Sequence, residues 1–236
     1  VGPLIEDVEG RWCDRLGQHR VRALRSALQD LVGQFDRPRP DCLPLYDIDL
    51  DRKAPRSPEV PDTLHGLLSQ AIIAFEEEFE SAHPVPLHLC GNVLRVLGDG
   101  PMPVKDLAAR TGLAKDGVEG GLRALQHRKL ATVGPDPSGR RLRVASLTRI
   151  GSERHRQAVE LTGVVEERWR QRYGKQRLDA LADALTPIAG PPENPTGPLW
   201  AGLYRYEEGW RSSLPRPDTL PHHPVVSHRG GYLDGA

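Results

Sequence analysis

A chain of 236 residues with 38% apolar and 27% charged side chains can build one or two domains around a hydrophobic core. No run approaches the roughly 18–20 apolar residues of a membrane-spanning helix. Glu6, Asp7 and Glu9 stand where a signal peptide would be apolar. Cys13, Cys42 and Cys90 are too few and too far apart for a disulfide framework or a zinc site. A cytoplasmic setting is therefore expected. The 32 basic and 32 acidic residues cancel overall but not by region. Residues 1–85 hold 10 basic and 16 acidic side chains, whereas residues 86–150 hold 11 and 5. The basic middle suits a polyanion, or the chain's own acidic first third.

In chain order, residues 7–32 read as helix with a break at Gly17, since Val8, Trp12, Leu16, Leu24, Leu28 and Leu31 recur at helical spacing. Residues 36–60, rich in proline and charge, read as a linker. Residues 61–82 form a second helix with Pro61 in its first turn and a Leu64–Phe79 apolar stripe. Its Glu76, Glu77, Glu78 and Glu80 are taken as a solvated face. Residues 87–98 form a third helix, stopped by Gly98-Asp99-Gly100-Pro101. A short helix from Val104 to Arg110, a turn at Thr111-Gly112-Leu113 and a helix from Lys115 to Lys129 follow. Two strands are expected near Leu130–Val133 and Leu142–Ser146, joined by turn residues as a hairpin. Residues 152–186 read as one long closing helix.

The chain also repeats itself. Residues 8–28 align without a gap with residues 165–185, at an offset of 157. The shared positions include Trp12 with Trp169, Arg15 with Arg172, Gly17 with Gly174, Arg20 with Arg177 and Leu24 with Leu181. Helical periodicity alone does not produce shared Trp, Gly and Arg. A weaker echo pairs Arg39-Pro40-Asp41 with Arg216-Pro217-Asp218. The second copy follows a basic domain. The first either has lost its domain or continues one that precedes Val1. Residues 7–32 are expected to pack on the helical body and to imitate the second copy's partner.

Helix, tight turn, helix and basic hairpin is the order of a winged helix-turn-helix. Ala108 is small where the two helices cross, and Gly112 sits where the turn needs a positive φ. Leu107, Val118, Leu122 and Leu125 supply the buried set. At these residues the chain resembles the MarR family of winged-helix transcriptional regulators. Residues 61–190 span that family's unit, and Thr148-Arg149-Ile150-Gly151 matches its frequent Thr-x-x-Gly. Asn92-Val93-Leu94-Arg95-Val96-Leu97-Gly98, followed by a Pro-rich turn, resembles an actinobacterial branch in which the unit occurs twice per chain. The resemblance implies a mainly α fold with a small β-hairpin wing. It also implies a homodimer built from the helices at 61–82 and 152–186, with Trp169 and Leu181 as anchors. Its partners would be double-stranded DNA and a small-molecule effector, with no membrane partner. Lys115 and Arg123 on the second helix would face the major groove. Arg140, Arg141 and Arg143 on the wing would meet phosphates or a narrow groove.

The recognition helix departs from that pattern. Ala114 cannot cap it, which costs about 0.5–2 kcal/mol. Gly117, Gly120 and Gly121 lie inside it, at about 0.8–1 kcal/mol each. Asp116 and Glu119 oppose its cations. Either the glycines allow close approach to DNA, or the unit has lost DNA binding and serves ligand sensing or protein association. Neither a nucleophile signature nor a phosphate loop supports an enzyme. No cofactor or metal is expected, and His222, His223 and His228 are read as surface polar residues. Residues 191–236 form an aromatic tail expected to pack on the body, with Trp200, Tyr204 and Trp210 as an alternative effector-binding set.

Overall fold

In the computed structural model the described residues are 2–41, 63–136, 138–190 and 221–223. They fall into two compact units, Val1–Glu77 with Val165–Leu203, and Glu78–Val164 with Tyr204–Ala236. Among the described residues no helix is long and apolar enough to cross a membrane.

Among the described residues, the first unit is built of helices. It holds α1 (Gly2–Leu16), α2 (Gln18–Val32), the start of α3 (Leu64–Ala82), the end of α7 (Arg149–Tyr173) and α8 (Lys175–Ala189). Val21, Leu24, Leu28 and Leu31 line one face of α2 and are at most 3% exposed. Each such burial is worth about 1.5–3 kcal/mol. Leu64 and Leu67 of α3 and Ala184 and Ile188 of α8 complete that core. Phe35, Phe75 and Tyr173 surround Trp169 at ring-centroid distances of 5.8, 5.8 and 5.5 Å. Glu9 accepts a hydrogen bond from the Leu64 amide at the start of α3 and pairs with Arg25 at 2.6 Å. A carboxylate there opposes the positive end of the helix dipole.

The second unit carries the mixed structure. A π-helical turn, Leu87–Gly91, runs into α4 (Asn92–Gly98). β1 (Met102–Pro103), a 3-10 turn, α5 (Leu107–Thr111), α6 (Lys115–His127), β2 (Ala131–Pro135) and β3 (Arg143–Leu147) follow. The strands make an antiparallel sheet in the order β1-β3-β2. Ala145 lies opposite both Met102 and Val133 and is fully buried. The molecule is therefore mainly helical with a small sheet, as the sequence predicts.

Several expectations change. The closing helix is not continuous: it breaks at Gly174, the repeat counterpart of Gly17. Of the expected dimer anchors, Leu181 is half-buried and Trp169 is buried among aromatic rings of its own chain. The glutamates of α3 are not simply solvated. Glu77 pairs with Arg37 and Arg39, each at 2.9 Å, and Glu80 with His88 at 3.2 Å. Arg39, in the expected linker, is buried and its guanidinium lies 4.9 Å from the Phe35 ring centroid. Pro61, Trp200, Tyr204, Trp210 and His228 lie outside the described residues.

Candidate nucleic-acid interface

The turn between α5 and α6 is built by two residues. Gly112 closes α5 in the left-handed region at φ 75°. The Thr111 hydroxyl donates to the Leu107 carbonyl at 2.6 Å and accepts from the Leu113 amide at 3.2 Å. Thr111 is fully buried, so its hydroxyl satisfies the turn's own backbone groups, while α6 has no side-chain cap at Ala114. Leu107, Val118, Leu122 and Leu125 are all buried, which fixes the roll of α6 and turns Lys115, Asp116, Glu119 and Arg123 to solvent.

The three glycines of α6 differ in kind. A Cβ on Gly121 would lie 2.8 Å from the Leu89 carbonyl oxygen and 3.0 Å from Val93, so this glycine lets the π-turn pack closely on α6. A Cβ on Gly117 would make ordinary contact with Leu113, and one on Gly120 would meet nothing within 4 Å.

α6 ends in a Schellman motif. The Leu130 amide donates to the Leu125 carbonyl at 2.8 Å and the Lys129 amide to the Gln126 carbonyl at 2.9 Å. Leu125 and Leu130 are both buried, as that motif requires. The left-handed position, usually glycine, is Lys129 at φ 59°, with its side chain exposed.

The hairpin then rises from β2. Asp136 orders its turn by accepting from the Ser138 amide at 2.9 Å and pairing with Arg140 at 3.0 Å. The hydrogen bonds from Ser138 are the main reason its carboxyl sits below the usual range; Arg140 adds to the effect. The Ser138 hydroxyl also accepts from Arg140 at 3.0 Å. Arg140 is thus partly engaged in the wing itself. Arg141, Arg143, Arg123 and Lys129 are exposed, and their side chains make no hydrogen bond or ion pair with the described residues. Lys115 is exposed and lies 3.8 Å from Glu119.

Thr148 and Gly151 close the wing onto α7. The Thr148 hydroxyl donates to the Lys129 carbonyl at 2.9 Å and accepts from the Gly151 amide at 3.0 Å. Its own amide donates to the Leu130 carbonyl at 2.9 Å, and a Cβ on Gly151 would fall 1.9 Å from that oxygen. The Thr-x-x-Gly spacing is the spacing of this joint.

This head is a winged helix-turn-helix. Its element order, left-handed turn and three-stranded sheet define it. No protein-family model and no curated protein matches the chain. Among solved structures, one described as a probable transcriptional regulator from Pseudomonas aeruginosa is 20% identical, with a TM-score of 0.43, over 51% of this chain and 92% of its own. CouR, a transcriptional repressor bound to a 23-mer DNA duplex, is 25% identical, with a TM-score of 0.42, over 53% and 91%. A MarR/EmrR family transcriptional regulator from Acinetobacter sp. ADP1 is 17% identical, with a TM-score of 0.40, over 51% and 84%. The winged-helix assignment rests on the chain's own geometry.

The head also holds part of the tail. The buried Asn92 side chain donates to the His223 carbonyl at 2.9 Å and accepts from the His222 and His223 amides at 2.8 and 3.0 Å. The His223 ring lies 3.0 Å from where a Cβ on Gly91 would be. Burial, then the neighbouring His222 and Arg95, push His223 down to about 4. His223 is therefore a docked, neutral group rather than a surface polar residue. Burial pushes the Cys90 thiol up to about 12, which keeps it protonated and unreactive. Sequence reasoning missed Lys129, Asp136 and the Asn92 dock. Asp136-Pro137-Ser138-Gly139 did carry a turn signal, whereas a contact 131 residues long leaves no local pattern.

Proposed function

We propose that the chain is a DNA-binding transcriptional regulator of the MarR type. α6 enters the major groove, and the wing lies along the backbone or in the minor groove. The observation that supports this reading best is the set of exposed cations on the head whose side chains have no partner among the described residues: Arg123, Lys129, Arg141 and Arg143. A left-handed lysine where glycine is easier costs roughly 1 kcal/mol, and an exposed charge at the base of the wing is a reason to keep it. Arg140 has a double role, ordering the wing through Asp136 and adding charge beside the phosphates. Lys115 contributes less than the others because Glu119 lies near it.

One observation favours a second reading, a winged module that senses a ligand or associates with protein. The exposed face of α6 carries Asp116 and Glu119 against Lys115 and Arg123, which is close to neutral. The double change Arg141→Ala with Arg143→Ala separates the two readings. Under the first, duplex affinity falls and the slope of log affinity against log salt flattens by about 2. Under the second, there is no salt-dependent duplex affinity to lose.

A further inference from the structure

The sequence repeat has a matching backbone. α1 meets α2 at Gly17, with φ 90° and ψ 133°; α7 meets α8 at Gly174, with φ 97° and ψ 134°. Those angles lie in a region that only glycine enters freely. The local hydrogen bonds repeat as well. The Gly17 amide donates to the Cys13 carbonyl at 3.0 Å, and the Gly174 amide to the Arg170 carbonyl at 3.1 Å. Arg20 donates to the Leu16 carbonyl at 3.4 Å, and Arg177 to the Tyr173 carbonyl at 2.9 Å. Every partner in the second set is the first shifted by 157 positions.

α2 and α8 pack against each other within the first unit. Of the residues α2 buries, Val21, Leu24, Ala27, Leu28 and Leu31 correspond at that offset to Leu178, Leu181, Ala184, Leu185 and Ile188. All five of the latter are buried or half-buried, and Leu181 and Leu185 pack on the same core. Arg177 of α8 pairs with Asp30 of α2 at 3.0 Å, a contact the repeat does not mirror, since Asp30 corresponds to Pro187. A contact in which two copies present the same positions to each other is isologous, the form a two-fold dimer interface takes.

We infer that α1–α2 is a second copy of the association element formed by the end of α7 with α8, and that the two copies pair within one chain. α2 covers the surface of α8 that a partner subunit would otherwise cover. The homodimer expected through residues 152–186 is then replaced by a pairing in cis, and this chain needs no second copy to cover that surface. The copies have specialised: Glu9 caps α3 and pairs with Arg25, whereas its counterpart Glu166 pairs with Arg170. None of this depends on whether the head binds DNA.

Light scattering on the intact chain tests the inference. The expected mass is that of one chain, 26.1 kDa, at every concentration across about a hundredfold range. The thermal midpoint should not move with concentration, because nothing associates on folding. A mass of twice the chain, or a midpoint that climbs with concentration, would overturn the inference. Native-state hydrogen exchange gives a second readout: α2 and α8 should open together, and protection lost from one while the other keeps it would also overturn it.

Discussion

Two glycines packed against backbone carbonyls behave oppositely to a third that looks the same in sequence. Gly120→Ala places a methyl in open space on a helix, so stability should rise by about 0.8–1 kcal/mol. Gly121→Ala pushes against the Leu89 carbonyl and Gly151→Ala against the Leu130 carbonyl, and each should lose about 1–3 kcal/mol. Urea midpoints of the three variants check the signs; a destabilised Gly120→Ala would show that its surroundings are misplaced. Lys129→Gly relieves a left-handed side chain and should add roughly 1 kcal/mol while weakening duplex binding. A variant that gains stability and keeps full affinity would remove Lys129 from the interface. The three α6 glycines were legible in the sequence as helix defects. Which of them packs depends on a carbonyl some thirty residues upstream, and no local pattern encodes that.

At the scale of elements, periodicity and turn chemistry were strong enough to place α3, α5, α6 and the hairpin, because each buries one face and glycine or proline punctuates all but the end of α6. β1 escaped because two residues, one of them Pro103, carry no alternation. The break at Gly174 was hidden by apolar spacing that runs on across it, although the repeat had already set Gly174 opposite Gly17. The docked tail segment left no trace because its partner is Asn92. Its response to pH follows from His223. A ring held near 4 in the folded state and near 6.5 when free favours docking fully above about 6.5, and that favour is lost as pH falls toward 4. The His223 ring titration by NMR should therefore centre near 4; a midpoint near 6.5 would show that the segment does not dock. Asn92→Leu should lower stability by about 1–3 kcal/mol, since it strands the His222 and His223 amides.

At the scale of the whole molecule, a neutral chain sets exposed cations on the α6 and wing side of its winged head and spends its helical repeat on pairing with itself. Such a chain should bind duplex DNA through charge first and sequence second, because α6 offers few base-reading side chains. The direct measurement is duplex affinity as a function of salt. With Arg123, Lys129, Arg141 and Arg143 on phosphates, log affinity should fall against log salt with a slope of about −3 to −4. Absence of binding at low salt, or binding that salt does not weaken, would contradict the account.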